Sequence, residues 1–139
     1  MSIFLSSRDA QVSRKAVTHE DLIVYQRAFD LAMRLYEVSK QFPPQERYSL
    51  TDQIRRSSRS VCANLAEAWR KRRYRAAFLS KLTEVEGELA ETQTWLAFAS
   101  CCGYLSKEEM SLLHQGYTDV ARTIANMVLH VDEWLLPSP

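Results

Sequence analysis

Apolar and polar positions alternate with a helical period along most of the chain. Leu22, Tyr25, Phe29, Ala32, Tyr36 and Ser39 follow one another at spacings of three and four, which holds them on one face of a helix. A second stripe runs through Leu50, Ile54, Ser57, Val61, Leu65 and Ala68, with small members that permit close helix approach. The third comprises Phe78, Leu82, Val85, Leu89, Thr92, Leu96 and Ala99. The fourth carries Met110, Leu113, Tyr117, Val120, Ile124, Met127, Val131 and Trp134. These stripes predict helices over residues 19–42, 49–71, 75–102 and 107–135.

The punctuation between stripes agrees with this division. Thr18 is placed to cap the first helix, with Asp21 in its first turn, and Pro43 and Pro44 stop it after Phe42. Ser49 or Thr51 opens the second. The stretch from Arg70 to Arg75 has no Gly or Pro, so the turn it must contain is weakly marked and the second helix is expected to run on past Trp69. Gly103 suits a left-handed stop after the third helix, and Ser106 with Glu109 forms the S-x-x-E capping box that starts the fourth. Four amphipathic helices with short connections imply an all-α protein, an antiparallel up-down-up-down four-helix bundle over residues 18–136. Residues 1–17 are polar after a brief apolar start and are read as a tail.

Apolar positions beside the stripes, among them Ala28, Leu31 and Leu35 on the first helix and Leu112, Val128 and Leu129 on the fourth, widen the apolar arcs beyond what one bundle core uses. A second buried face, and hence self-association, is expected. The 139 residues suit one domain, and with 46% apolar and 25% charged residues the chain is of ordinary globular composition. Only 3 Gly and 4 Pro are present, too few for the turns of a sandwich or barrel. No segment has the length of a membrane span, and Ile3–Leu5 is too short for a signal-peptide core. The odd number of cysteines, Cys62, Cys101 and Cys102, points to free thiols rather than a disulfide framework.

A net charge of +1 conceals a segregation of sign. Arg55, Arg56, Arg59, Arg70, Lys71, Arg72, Arg73, Arg75 and Lys81 are opposed within their segment by Glu67 alone, and Glu84, Glu86, Glu88, Glu91, Glu108 and Glu109 follow. In a hairpin turning near residues 70–75, Arg59 would lie near Glu88, and Arg55 or Arg56 near Glu91. Arg55, Arg59, Glu88 and Glu91 are therefore candidate structural ion pairs. The tip residues Arg70, Lys71, Arg72, Arg73 and Arg75, with Tyr74 between them and Trp69 adjacent, are candidate nucleic-acid contacts, since guanidinium groups grip phosphate and an aromatic ring stacks on an unpaired base. Arg55, Arg56 and Arg59 extend the same candidate surface.

Catalytic chemistry has no visible foothold. Di-iron bundles need Glu-x-x-His on two helices, whereas Ser111 and Met127 stand three residues before His114 and His130. Glu84, Glu88 and Glu91 share a helical face but have no histidine among them, and neither a nucleophile motif nor a glycine-rich phosphate loop is present. Neither a metal nor a cofactor is expected, nor an enzyme.

The segments Asp21-Leu22-Ile23-Val24-Tyr25-Gln26, Phe42-Pro43-Pro44-Gln45-Glu46-Arg47-Tyr48, Leu50-Thr51-Asp52-Gln53-Ile54-Arg55-Arg56-Ser57, Ala63-Asn64-Leu65-Ala66-Glu67 and Gly103-Tyr104-Leu105 resemble the four-helix-bundle family of proteins encoded within 23S rRNA intervening sequences. The likeness spans Asp21 to Leu136. It implies a bacterial, cytoplasmic, non-catalytic bundle that assembles as a homopentamer. The chain is also similar to the accessory variability protein of diversity-generating retroelements, which implies nucleic acid and a reverse transcriptase as partners. Cys62 and Ala68 stand where the family often has Pro and Gly, which implies a straighter second helix with a blurred end. The expected function is an oligomeric scaffold that binds nucleic acid or a nucleoprotein partner through the basic hairpin; the alternative is a purely structural protein–protein interaction module whose charges form ion pairs.

Overall fold

The structure is a computed structural model and describes residues 16–137. Four α-helices carry the fold: α1 (Ile23–Ser39), α2 (Leu50–Arg70), α3 (Arg75–Cys101) and α4 (Lys107–Leu129). Short 3-10 turns lie at His19–Asp21, Pro44–Glu46 and Val131–Trp134, and there is no strand among the described residues. Each helix packs on its neighbours in the chain and α1 closes the ring on α4, with the most extensive contact between α2 and α3. The pairings Arg56 with Glu91, Ser57 with Thr92 and Lys81 with Glu67 show that α2 and α3 run antiparallel. The chain is an all-α four-helix bundle.

The stripes predicted for α2 and α3 are buried at every position, from Leu50 to Ala68 and from Phe78 to Ala99. On α4 the stripe from Leu113 to Met127 is buried, as is Val131 in the turn after it, while Met110 and Trp134 at the ends of the predicted stripe are half-buried. Helix α1 departs from expectation. Leu22 and Ser39 at the ends of the predicted stripe are buried, but between them the buried residues are Val24, Ala28 and Leu35, whereas Tyr25, Phe29, Ala32 and Tyr36 of that stripe are only half-buried. Two of the positions assigned to a second face, Ala28 and Leu35, are thus core residues. The helix is turned by about one residue, roughly 100°, from the phase its apolar spacing suggested.

Three helix boundaries also differ from those expected. Thr18 and Asp21 form a capping box, but on the 3-10 turn of His19–Asp21 rather than on α1, which starts at Ile23. The Asp21 carboxylate accepts the backbone N–H groups of Val17 and Thr18, which hold it below the ordinary carboxylate range, and Leu22 then turns extended and buries its side chain. At the other end of α1, Lys40, Gln41 and Phe42 each donate to the carbonyl three residues back, so the segment before Pro43 is a tightened turn rather than α-helix. After Leu129 the chain tightens into the 3-10 turn of Val131–Trp134. This brings Trp134 to 6.3 Å from Trp69 and lets the Leu136 N–H reach the Arg72 carbonyl at 3.2 Å. The predicted tail lies outside the described residues apart from Ala16, which packs against the core, and Val17, whose carbonyl accepts from Trp69 Nε1.

Candidate nucleic-acid interface

The basic tip is built by the end of α2. Helix α2 stops at Arg70, one residue after Trp69, although neither Gly nor Pro interrupts it. Arg72 is the reason. Its Nε donates to the Trp69 carbonyl at 2.9 Å, and its guanidinium sits 3.4 Å from the centroid of the Trp69 ring. The Lys71 N–H meets the Ala68 carbonyl, so the Ala68 and Trp69 carbonyls are satisfied where the chain turns. Tyr74, in extended conformation, then leads into α3. The end that the absence of Gly and Pro was expected to blur is defined by a side chain instead.

This arrangement divides the predicted contact residues. Arg72 is half-buried, and desolvation lowers its pKa from the usual guanidinium value; it is committed to Trp69. Arg75 Nε is 2.7 Å from Asp132 Oδ1. Arg70, Lys71 and Arg73 are exposed and, among the described residues, are not ion-paired. Tyr74 stands beside them at 67% exposure, an aromatic face available to solvent.

Further along α2 the pairing differs from that predicted. Arg56 alone meets both predicted partners on α3, with Nη1 3.7 Å from Glu88 Oε2 and Nη2 bonded to Glu91 Oε1. Arg55 and Arg59 face the other way. The Arg55 Nε donates to Ser39 Oγ at 2.8 Å, and the guanidinium groups of Arg55 and Arg59 lie 4.8 and 5.7 Å from the centroid of the Tyr36 ring on α1. One residue of helix rotates a side chain by about 100°. That rotation separates Arg56, on the α3 side, from Arg55 and Arg59, on the α1 side. Lys40 approaches the same ring at 4.8 Å while pairing with Glu37. The sequence pattern places Tyr36 on the apolar stripe of the first helix and gives neither it nor Lys40 a part in this cluster. Their spacing of four, set against Arg55 and Arg59 across the Pro43-Pro44 turn, is the signal that would have found them.

Two further acids of the hairpin, Glu67 and Glu84, are also engaged. Lys81 Nζ lies 2.7 Å from Glu67 and 2.9 Å from Glu84, and its hydrogen bond holds the Glu67 carboxyl below the ordinary range. The carboxylate face of Glu84, Glu88 and Glu91 therefore serves the α2–α3 seam. Cys62 is buried and its thiol is pushed up to about 12 by desolvation, while Cys101 and Cys102 are exposed free cysteines.

The family described as 23S rRNA-intervening sequence protein matches residues 20–126. Among solved structures, the chain is similar to a protein of unknown function from the S23 ribosomal protein family of Bacteroides thetaiotaomicron VPI-5482. The two share 25% identity over 76% of this chain and 98% of the other, with a TM-score of 0.69. No curated protein matches the chain.

Proposed function

Because the chain belongs to the 23S rRNA-intervening sequence protein family, we propose that it is a non-catalytic, self-associating scaffold that binds nucleic acid through the tip between α2 and α3. The observation that carries this reading is the charge left over at the tip. Glu67, Glu84, Glu88 and Glu91 are occupied by Arg56 and Lys81, and Asp132 takes Arg75, while Arg70, Lys71 and Arg73 stay exposed beside the open ring of Tyr74. Exposed cationic groups without an ion-pair partner suit phosphate contacts that tolerate many sequences.

Titration against a structured RNA at low and moderate salt tests this. Affinity is expected to fall steeply as salt rises, and Arg70→Glu with Arg73→Glu is expected to abolish binding with the helical circular dichroism intact. Absence of binding by the wild-type protein at low salt rejects the proposal.

Self-association rests on a different observation. Phe98, Leu112 and Leu129 remain 56%, 55% and 76% exposed, apolar area on α3 and α4 that a second copy would cover. A homopentamer in the cytoplasm is the assembly that the sequence resemblance favours, with a reverse transcriptase as one candidate protein partner; the mass from light scattering tests the assembly. The Arg56 and Lys81 ion pairs support the purely structural alternative, in which the tip binds no nucleic acid.

A further inference from the structure

We infer that a strand held at the tip continues along α2 to a second phosphate site, formed by Lys40, Arg55 and Arg59 around Tyr36. This inference rests on the nucleic-acid reading of the tip and extends it to a surface on the α1 side of the bundle. Three cations converge on one tyrosine ring, at 4.8, 4.8 and 5.7 Å from its centroid. Among the described residues only Lys40 is answered by a carboxylate, that of Glu37, and Arg55 and Arg59 form no ion pair. The negative face of the ring offsets part of their mutual repulsion, and the hydrogen bond to Ser39 Oγ holds Arg55 in place. An anion bridging Arg55 and Arg59 would relieve the remainder.

Helix geometry joins this cluster to the tip. Arg59 and Arg70 are eleven residues apart, which places them within about 20° of each other on α2 and about 16 Å apart along its axis. Between them on that side stand Ala63, exposed, and Ala66, half-buried, whose short side chains leave the path open. Glu20 and Glu67 border the path, in the groove that both line with Ala66 and Arg70, and the charge of Glu67 is answered by Lys81. A backbone of phosphates stepping along α2 would meet Arg70, pass the two alanines and reach Arg59 and Arg55.

The test uses the full chain and one structured RNA, with affinity measured across a salt series. Arg59 is the residue to change, because it is exposed and makes no hydrogen bond that holds the fold. Arg59→Gln is expected to weaken binding roughly two- to fivefold at low salt, as for one exposed ion pair. It should also reduce the slope of log affinity against log salt by about 0.7 to 0.9, one phosphate contact. Arg59→Lys should restore the slope, and Glu20→Gln should strengthen binding. If Arg59→Gln leaves affinity and slope unchanged while Arg70→Gln with Arg73→Gln weakens binding, the second site is wrong and the tip reading stands. If wild-type protein does not bind the RNA at low salt, the tip reading itself has failed.

Discussion

Tyr104, in the turn after α3, donates its hydroxyl to Glu46 Oε2 at 2.9 Å across 58 positions of chain. The other carboxylate oxygen of Glu46 accepts from Ser49 Oγ at 2.6 Å and from the Leu50 N–H that opens α2. Phe42 packs on the Tyr104 ring with centroids 5.5 Å apart. One carboxylate thus ties the α1–α2 and α3–α4 connections together at the same end of the bundle. Its hydrogen bonds, first that of Ser49 and then that of Tyr104, hold Glu46 below the ordinary carboxylate range.

The clamp has a pH signature. The folded carboxyl releases its proton at lower pH than the unfolded one, so its contribution is complete above the ordinary value of 4.5 and is lost as pH falls through the folded value. Glu46→Gln is expected to lower the melting temperature at pH 7, and the gap from wild type should close toward pH 3. Equal sensitivity of both proteins to acid across that range would show that the clamp is energetically idle.

Tyr104 reports the same contact from its other side. Hydrogen bonding to Glu46 pushes its phenol up to about 12. Its contribution is therefore intact below the ordinary tyrosine value of 10.0 and lost as pH rises through the folded value. In an ultraviolet titration, Tyr104→Phe should remove a late-ionising phenol, and Glu46→Gln should shift that phenol to lower pH. A wild-type curve in which Tyr104 ionises with the exposed tyrosines contradicts this.

Between α2 and α3 the buried Thr92 Oγ1 bonds to Ser57 Oγ at 2.8 Å, with both residues fully enclosed. Thr92→Val keeps the shape but strips Ser57 of its good partner, at an expected cost of about 1 to 2 kcal/mol in urea unfolding. The double variant with Ser57→Ala should cost less than the two single changes added, because no orphan hydroxyl remains. Strict additivity would mean the two hydroxyls are uncoupled.

Gly103 ends α3 with φ of +77°. The Tyr104 N–H returns to the Ala99 carbonyl and the Gly103 N–H to that of Ser100, the paired bonds of a left-handed helix stop. Gly103→Ala is expected to lose about 1 to 2 kcal/mol of stability, although a Cβ there would meet no neighbouring atom. An unchanged unfolding midpoint would contradict the strain argument.

Thiol labelling separates the three cysteines. At pH 8, Cys101 and Cys102 should react with a maleimide quickly in the native state, and Cys62 only once the protein is unfolded, since its site disfavours the thiolate. Rapid modification of all three thiols would show that α2 opens under native conditions.

Four helices, their antiparallel order and most of the core were readable in the chain because a period of 3.6 needs no knowledge of neighbours: Phe78 to Ala99 share a face whatever packs on them. The capping box at Ser106 and the stop at Gly103 are local in the same sense. Only the tertiary structure decided the phase of α1. That helix is apolar over a wide arc, and the positions of α2 and α4 choose between the Ala28–Leu35 face and the Tyr25–Tyr36 face. The arginines follow the same logic. Spacing brought Arg55, Arg56 and Arg59 close to both α1 and α3, but about 100° of rotation per residue sent Arg56 to Glu88 and Glu91, and Arg55 and Arg59 to Tyr36. Pattern along a chain determines which residues share a face; packing determines what that face meets.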